Sequence, residues 1–433
     1  MTNCTREVIE YPGFDRRLIE TEFTGGEITS DGGVLLLREA DRQIGLTEMV
    51  AGKLSDGRRQ KSCRHDLLSM LRQRVYALAL GYEDLNDHDT LRSDAAIQTA
   101  VERDSNLAGG STLCRFENRA DRRAALQIHE VLVESFIASH EQAPKELILD
   151  FDATDDQVHG KQEGRFFNGY YDNYCFLPLY VFCKDQLLVS YLRESRIDGA
   201  KHSWAILALL VKRLRREWPK VRIIFRGDSG FCRHRMLRWC DRNNVKYIVG
   251  IAKNNRLNAH IEEQMAAAET SGQTIRTFTD FQYAAGSWDR ERRIIAKIEV
   301  TALGRNPRYV VTNLNGKPKK LYDRIYCARG DMENRIKEQQ LHLFADRTSC
   351  HKWWPNQFRL LLSSLAYTLV ESIRRKALYG TELEHAYVST IRLKLLKIGA
   401  VILRNTRRIR FLLSSSYPYQ NLYLVVARQL TPG

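Results

Sequence analysis

The 433-residue sequence predicts an α/β fold built on a mixed sheet, with a β-rich insertion and helical regions on either side. Three observations carry this expectation. Between residues 146 and 251, short apolar runs and stretches of helical period follow the order strand, strand, strand, helix, strand, helix, strand. Two of those strands, at 147–152 and 221–228, end in aspartate. Helical periodicity dominates before residue 145, and a long apolar helix is expected at 357–376, after a second β-rich stretch.

Along the chain, Ser30-Asp-Gly-Gly33 signals a turn ahead of a helical pattern through Leu35, Leu36, Leu37 and Ala40. Leu67, Leu68, Leu71, Val75, Leu78 and Leu80 predict a helix over 65–80, ended by Gly81, and further helices are expected near 91–101 and 121–140. Arg72, Arg74, Arg92, Arg115, Arg119, Arg122 and Arg123 are expected on exposed faces. Short helices joined by tight turns suit either a DNA-binding helix-turn-helix or a plain helical cap. In 147–152, Ile148, Asp150 and Asp152 share one strand face, and Leu147, Leu149 and Phe151 the other. The runs 178–183 and 187–192 form a hairpin around the polar Lys184-Asp-Gln186. Helices at 203–218 and 233–243 then alternate with strands at 221–228 and 247–251. Residues 275–313 are β-rich and interrupt a core that the helix around Glu333 completes.

Composition narrows the function. Lysine and arginine number 67 against 52 acidic residues, a formal charge of +15. That excess points to a polyanionic partner, nucleic acid before an anionic membrane. No acidic residue follows Glu384, whereas Arg392, Lys394, Lys397, Arg404, Arg407, Arg408, Arg410 and Arg428 do, interleaved with apolar residues that imply a folded basic surface. Nine cysteines without a Cys-x-x-Cys pair argue against a disulfide framework and a structural zinc site, and for a reducing cytosol. Residues 1–20 are charged throughout and lack a signal-peptide core. The apolar run 360–370, bounded by Arg359 and Glu371, is too short to span a bilayer, so no membrane is expected.

The stretch around Glu333 carries the chemistry. At about 3.6 residues per turn, Tyr326, Arg329, Glu333 and Lys337 fall on one helical face. A salt-bridged surface helix would carry such a face without further meaning. Two acidic strand ends, Asp150/Asp152 and Asp228, alter the weighing, because with Glu333 they supply the three carboxylates that a pair of divalent ions needs. Aspartate holds its oxygens close to a strand, and glutamate reaches across from a helix. Asp150 rivals Asp152, since both lie on one strand face.

Tyr326-x2-Arg329-x3-Glu333 resembles the Tyr-Arg-Glu signature of a superfamily of bacterial insertion-sequence DDE transposases with a ribonuclease-H-like catalytic core. Asp152-Ala-Thr154 resembles that family's first acidic block and Arg226-Gly-Asp228-Ser-Gly-Phe231 its second. Ser30-Asp-Gly-Gly33, Gln162-Glu-Gly164 and Leu343-Phe-Ala-Asp-Arg-Thr-Ser349 resemble one branch of it. The long gap between Asp228 and Glu333 is where such enzymes carry a β-strand insertion. One departure is Gln340, where the superfamily often has lysine; Lys337, one turn after Glu333, is the candidate substitute.

The resemblance implies a helical DNA-end-binding region over 1–145, a catalytic core over 146–260 and 321–376, a β-rich insertion over 261–320 and a basic region over 377–433. It implies that Asp152, Asp228 and Glu333 hold two Mg²⁺ or Mn²⁺ ions, while Tyr326, Arg329 and Lys337 grip terminal phosphates. Trp288, beside Arg290, Arg292 and Arg293, either stacks a flipped base or packs against the sheet. The expected partners are double-stranded terminal inverted repeats and target DNA, bound by a homodimer in the cytoplasm, at the nucleoid. Two alternatives share the resemblance: a structure-specific nuclease without strand transfer, and a catalytically silent DNA-binding descendant. Gly227-Asp-Ser-Gly230 looks like a chymotrypsin-type nucleophile block around Ser229, but Phe231 follows and no Ala-Ala-His-Cys block occurs. His159 and His202 lack ligand spacing for zinc.

Overall fold

The computed structural model describes residues 8–270 and 274–431; the outermost residues of the expected terminal regions, and 271–273 of the expected insertion, lie outside them. The chain divides into two compact units, one of residues 8–51, 56–116 and 369–431 and the other of residues 52–55 and 117–368.

The second unit is organised on one mixed sheet of nine strands. These are β1 (Glu146–Ala153), β2 (Leu179–Cys183), β3 (Gln186–Tyr191), β4 (Arg222–Gly227), β5 (Lys246–Ile251), β6 (Ile275–Tyr283), β7 (Arg292–Thr301), β8 (Gly304–Arg305) and β9 (Arg308–Thr312). Their order is β6-β7-β9-β5-β4-β1-β2-β3, with β8 on β7. Strands β1, β4 and β5 are parallel and the other pairs antiparallel. The half β3-β2-β1-β4-β5 is the ribonuclease-H-like arrangement. The β-rich stretch continues the same sheet, because β9 takes the free edge of β5.

Alternation along the strands divides the sheet into two faces. Leu147, Leu149 and Phe151 of β1 join Ile223, Phe225 and Val249 in a core covered by helices α1 (Arg122–Ala138), α2 (Ser203–Glu217) and α3 (His234–Arg242). Each such buried side chain contributes roughly 1.5–3 kcal/mol. Asp121 caps α1 by accepting from the Ala124 amide at 2.8 Å. On the opposite face, Ile224, Ile248, Ile295 and Val310 pack against Leu321 and Tyr322, with Ile148, Ile325 and Tyr326 at the margin.

From Tyr326 to Lys337 the sequence predicts a regular helix, and the structure departs from it in its first turn. A π-helical turn, Leu321–Tyr326, passes into a 3-10 turn, Cys327–Arg329, before α4 (Gly330–Leu343) begins. The cause lies in the sheet. Asp150 and Arg226 face each other across β1 and β4 and form a buried ion pair, 2% and 6% exposed. The Arg226 guanidinium also donates to the carbonyls of Ile325 and, at 3.3 Å, of Ala328. A side chain inserted at helix carbonyls interrupts the regular ladder. Helix α5 (Trp353–Ala377) is anchored on β3, where Gln357 accepts from the Leu192 amide at 2.7 Å and Ser364 meets Ser190 at 2.8 Å.

The first unit combines the two ends of the chain. Helices Val34–Ile44, Leu67–Leu80 and Ala95–Val101 accompany a three-stranded sheet of Ile409–Leu413, Ala400–Arg404 and Ile28–Thr29. The Ser30–Gly33 turn ties them together. Asp31 accepts from the Tyr82 hydroxyl and from Lys397, both at 2.7 Å. The Gly32 and Gly33 amides donate to Ile398 and Leu396, and a Cβ on Gly33 would lie 1.9 Å from the Leu395 carbonyl oxygen. Arg92, Arg115, Arg119, Arg122 and Arg123 are exposed as expected, but Arg72 and Arg74 are buried. They point into the interior, where Arg72 pairs with Glu48 at 2.9 Å and Glu102 at 2.7 Å, and Arg74 meets His88 at 3.0 Å. Among the described residues no helix is long and apolar enough to cross a membrane.

Breaking the strand-to-helix clamp has a predictable cost. Arg226→Met strands the Asp150 carboxylate in the interior and is expected to lower stability by about 3–5 kcal/mol in urea unfolding. The Asp150→Leu/Arg226→Met pair, which removes both charges, should recover much of that loss.

Candidate active site

Three of the expected acids lie at the carboxyl edge of the parallel strands. Asp152 lies near the end of β1 and Asp228 directly follows β4. Because Gly227 pairs with Phe151, the register brings both aspartates to the same edge of the sheet. Asp228 also starts the short turn Ser229–Phe231, accepting from the Gly230 amide at 2.8 Å. Glu333 projects from the first turn of α4.

Arg329 links the strands to the helix. Its guanidinium stands 2.8 Å from Glu333 and 3.4 Å from Asp152. Burial, reinforced by Asp228 and Glu333 and opposed by Arg329, pushes the Asp152 carboxyl up to about 7. The three acids therefore share one electrostatic environment in which a single guanidinium is the near counter-charge. With Arg329 between Asp152 and Glu333, no three acidic, histidine or cysteine groups among the described residues stand at common ligating distance. The donor set is nonetheless all carboxylate oxygen, the type that hard divalent cations take.

Tyr326 closes the site from the side of β5. A Cβ on Gly250 would lie 2.6 Å from the Tyr326 hydroxyl and 2.9 Å from the Ser229 nitrogen, so the phenol reaches the backbone only because residue 250 is glycine. Burial raises the Tyr326 phenol, with Arg329 opposing and Asp228 adding to the shift. Lys337 is exposed on α4, beyond Glu333. Gln340 donates to the Asp155 carbonyl at 3.1 Å and so tethers the segment that follows β1.

Other expected residues are held elsewhere. Asp150 shares a strand face with Asp152, but its two carboxylate oxygens accept from Arg226. Trp288 sits in the turn joining β6 to β7. Arg293 of β7 pairs with Thr312, and Thr312 with Ile248 near the start of β5, so this turn lies at the opposite end of the sheet from Asp152 and Asp228. Trp288 packs edge-on against Tyr283 at 5.8 Å, beneath the Arg292 guanidinium at 5.3 Å. Arg292 is buried on Asp241 and Asp289, Arg290 pairs with Asp241 at 2.6 Å, and Arg293 pairs with Asp280 at 2.7 Å. The structure does not bring this group to the acids.

Two residues near the acids escaped the sequence reading. Gly250 was legible in principle, since glycine inside an apolar strand signals close backbone approach. Tyr171 carried no spacing signal. Its hydroxyl donates to the Ala153 carbonyl at 3.4 Å, and burial together with Asp155, Asp152 and Asp228 raises its pKa.

Comparison with known proteins identifies the family. The family model described as transposase DDE domain group 1 matches residues 12–432. No curated protein matches the chain. Among solved structures, the chain is similar to a piggyBac transposase synaptic complex with hairpin DNA, at 11% identity and a TM-score of 0.43, over 85% of this chain and 80% of that one. The family match extends over nearly the whole sequence, and the chain accordingly belongs to the transposase DDE domain group 1 family, as a DNA transposase.

Proposed function

We propose that Asp152, Asp228 and Glu333 are the metal-holding acids of this transposase, and that it cleaves the ends of an insertion sequence and joins them to target DNA. The observation that carries the proposal is the Arg329 bridge between Asp152 and Glu333, beside Asp228, with the Asp152 carboxyl raised to about 7. Two divalent ions, Mg²⁺ or Mn²⁺, would activate the attacking oxygen and stabilise the leaving one.

The chain's own residues do the rest. Asp152 and Asp228 hold their oxygens at the rigid sheet edge, and Glu333 approaches from α4. Arg329 neutralises the acids; with a cation held by them, its planar fork would be free to take a phosphate. Lys337, exposed beyond Glu333, meets the DNA backbone as a point charge. Tyr326 donates its hydroxyl to a phosphate oxygen near Asp228. Joining two ends calls for two such sites, hence a homodimer on double-stranded terminal repeats and target DNA, working in the bacterial cytoplasm where that DNA lies. With a formal charge of +15, binding should weaken steeply as salt rises.

A labelled element-end duplex incubated with target DNA and Mg²⁺ tests the reading. Glu333→Gln, Asp152→Asn and Asp228→Asn should each lose cleavage and joining by at least about 100-fold while retaining end binding. Equal activity in wild type and Glu333→Gln would remove Glu333 from the site. Cleavage without joining would indicate a nuclease, and activity in no protein a binding role alone.

Asp152 also predicts a pH effect on the metal-free protein. Its carboxyl is raised above the ordinary value, so the folded state holds a proton that the unfolded chain releases, and stability falls as pH rises from about 4 to about 7. Asp152→Asn should therefore stabilise the protein in EDTA at pH 8, on the order of 2 kcal/mol, with the difference shrinking toward pH 4. Thermal melts across that range check the sign. Gly250→Ala should displace the Tyr326 hydroxyl and lower joining by roughly tenfold, an effect that Tyr326→Phe in the same background would not deepen.

A further inference from the structure

The strands Ile9–Phe14 and Arg17–Thr21 form an antiparallel hairpin that belongs to no larger sheet among the described residues. Every residue over 8–28 is exposed. The register sets Tyr11 opposite Ile19 on one face and Glu10 opposite Glu20 on the other. Phe14, Leu18 and Phe23 add apolar surface, 67%, 80% and 108% exposed. Two strands alone are marginal in water, and like charges directly opposite weaken a pair further. A hairpin of this kind needs a cover that is both apolar and cationic. With Glu10, Asp15, Glu20 and Glu22 against Arg16 and Arg17, its net charge is negative, so DNA is not that cover.

The complement is carried on the same chain. Strand Ile409–Leu413 is the open edge of its three-stranded sheet and offers a row of unpaired backbone groups. Residues 404–413 contain Arg404, Arg407, Arg408 and Arg410 and no acid, and Ile409 and Leu412 are exposed. Arg404 engages Glu27 at 2.9 Å, while among the described residues no ion pair engages Arg407, Arg408 or Arg410. Within one copy the hairpin leads into Ile28–Thr29, which pairs on the far side of Ala400–Arg404 from that edge.

We propose that the hairpin of one copy adds to the edge strand Ile409–Leu413 of a second copy, and reciprocally, to make a two-fold dimer. Glu10 and Glu20 then face Arg408 and Arg410, and the opposite, apolar face of the hairpin lines up with Ile409. Main-chain pairing supplies affinity and the charges supply choice of partner. Because each copy gives one hairpin and receives one, the assembly closes. This interface needs neither DNA nor metal, and so stands apart from the active-site reading.

Sedimentation of the full-length protein without DNA or metal provides the test. The wild type should be dimeric at micromolar concentration. Glu10→Lys/Glu20→Lys and Arg408→Glu/Arg410→Glu should each weaken dimerisation by at least tenfold. An equal mixture of the two variants should recover the dimer, because every hairpin then meets a strand of opposite charge, and recovery also shows that both variants are folded. A monomeric wild type, variants that stay dimeric, or a mixture that fails to recover would each overturn the proposal. Loss of DNA binding by Arg408→Glu/Arg410→Glu with an unchanged oligomeric state would also overturn it, and would assign the strand to DNA.

Discussion

The buried contact between Asp150 and Arg226 is the interaction on which the site depends. Placing two charges in the interior costs desolvation, and a pair of this kind is often no more stable than an apolar one of similar volume. What the pair adds is connection. Arg226 satisfies Asp150 on the neighbouring strand and, with its remaining donors, the carbonyls of Ile325 and Ala328. The parallel register of β1 and β4 is thereby transmitted to the helical segment that carries Tyr326, Arg329 and Glu333. The π and 3-10 turns at that point follow from the same contact, and such interruptions recur at functional sites.

At the edge of the sheet, electrostatics sets three acids around one guanidinium. Asp152 is half-buried near Asp228 and Glu333, with Arg329 as near counter-charge. A carboxyl raised to about 7 in these surroundings lowers folded-state stability at neutral pH. Tolerating that loss is the familiar trade of stability for function. The glycine at 250, which lets the Tyr326 hydroxyl reach the backbone beside Ser229, belongs to the same economy of close approach.

The first unit obeys a different constraint, because its sequence segments come from both ends of the chain. Asp31 holds Tyr82 and Lys397, and the two glycines after it let residues 395–398 pass at backbone distance. A motif that reads locally as a turn signal is thus a long-range tie. The exposed hairpin that precedes it has no such tie among the described residues, and its acidic character matches the basic edge strand Ile409–Leu413.

Local pattern by itself determined the elements and singled out the candidate acids. Apolar alternation and helical period set the strands and helices of the core to within a few residues, since those periods follow from burying one face. The acidic strand ends and the Tyr326, Arg329 and Glu333 spacing were legible because short-range geometry places them. Tertiary structure alone decided among residues that local pattern treats alike. Asp150 and Asp152 share one strand face, and only the neighbour on β4 separates the residue clamped by Arg226 from the one beside Arg329. Trp288 and its arginines looked like a binding cluster, yet the direction of β7 carries them to the far end of the sheet. Arg72 and Arg74 looked solvent-facing, but acids and a histidine distant in sequence receive them in the interior. In each case the deciding partner is remote along the chain, so no window of sequence contains the information.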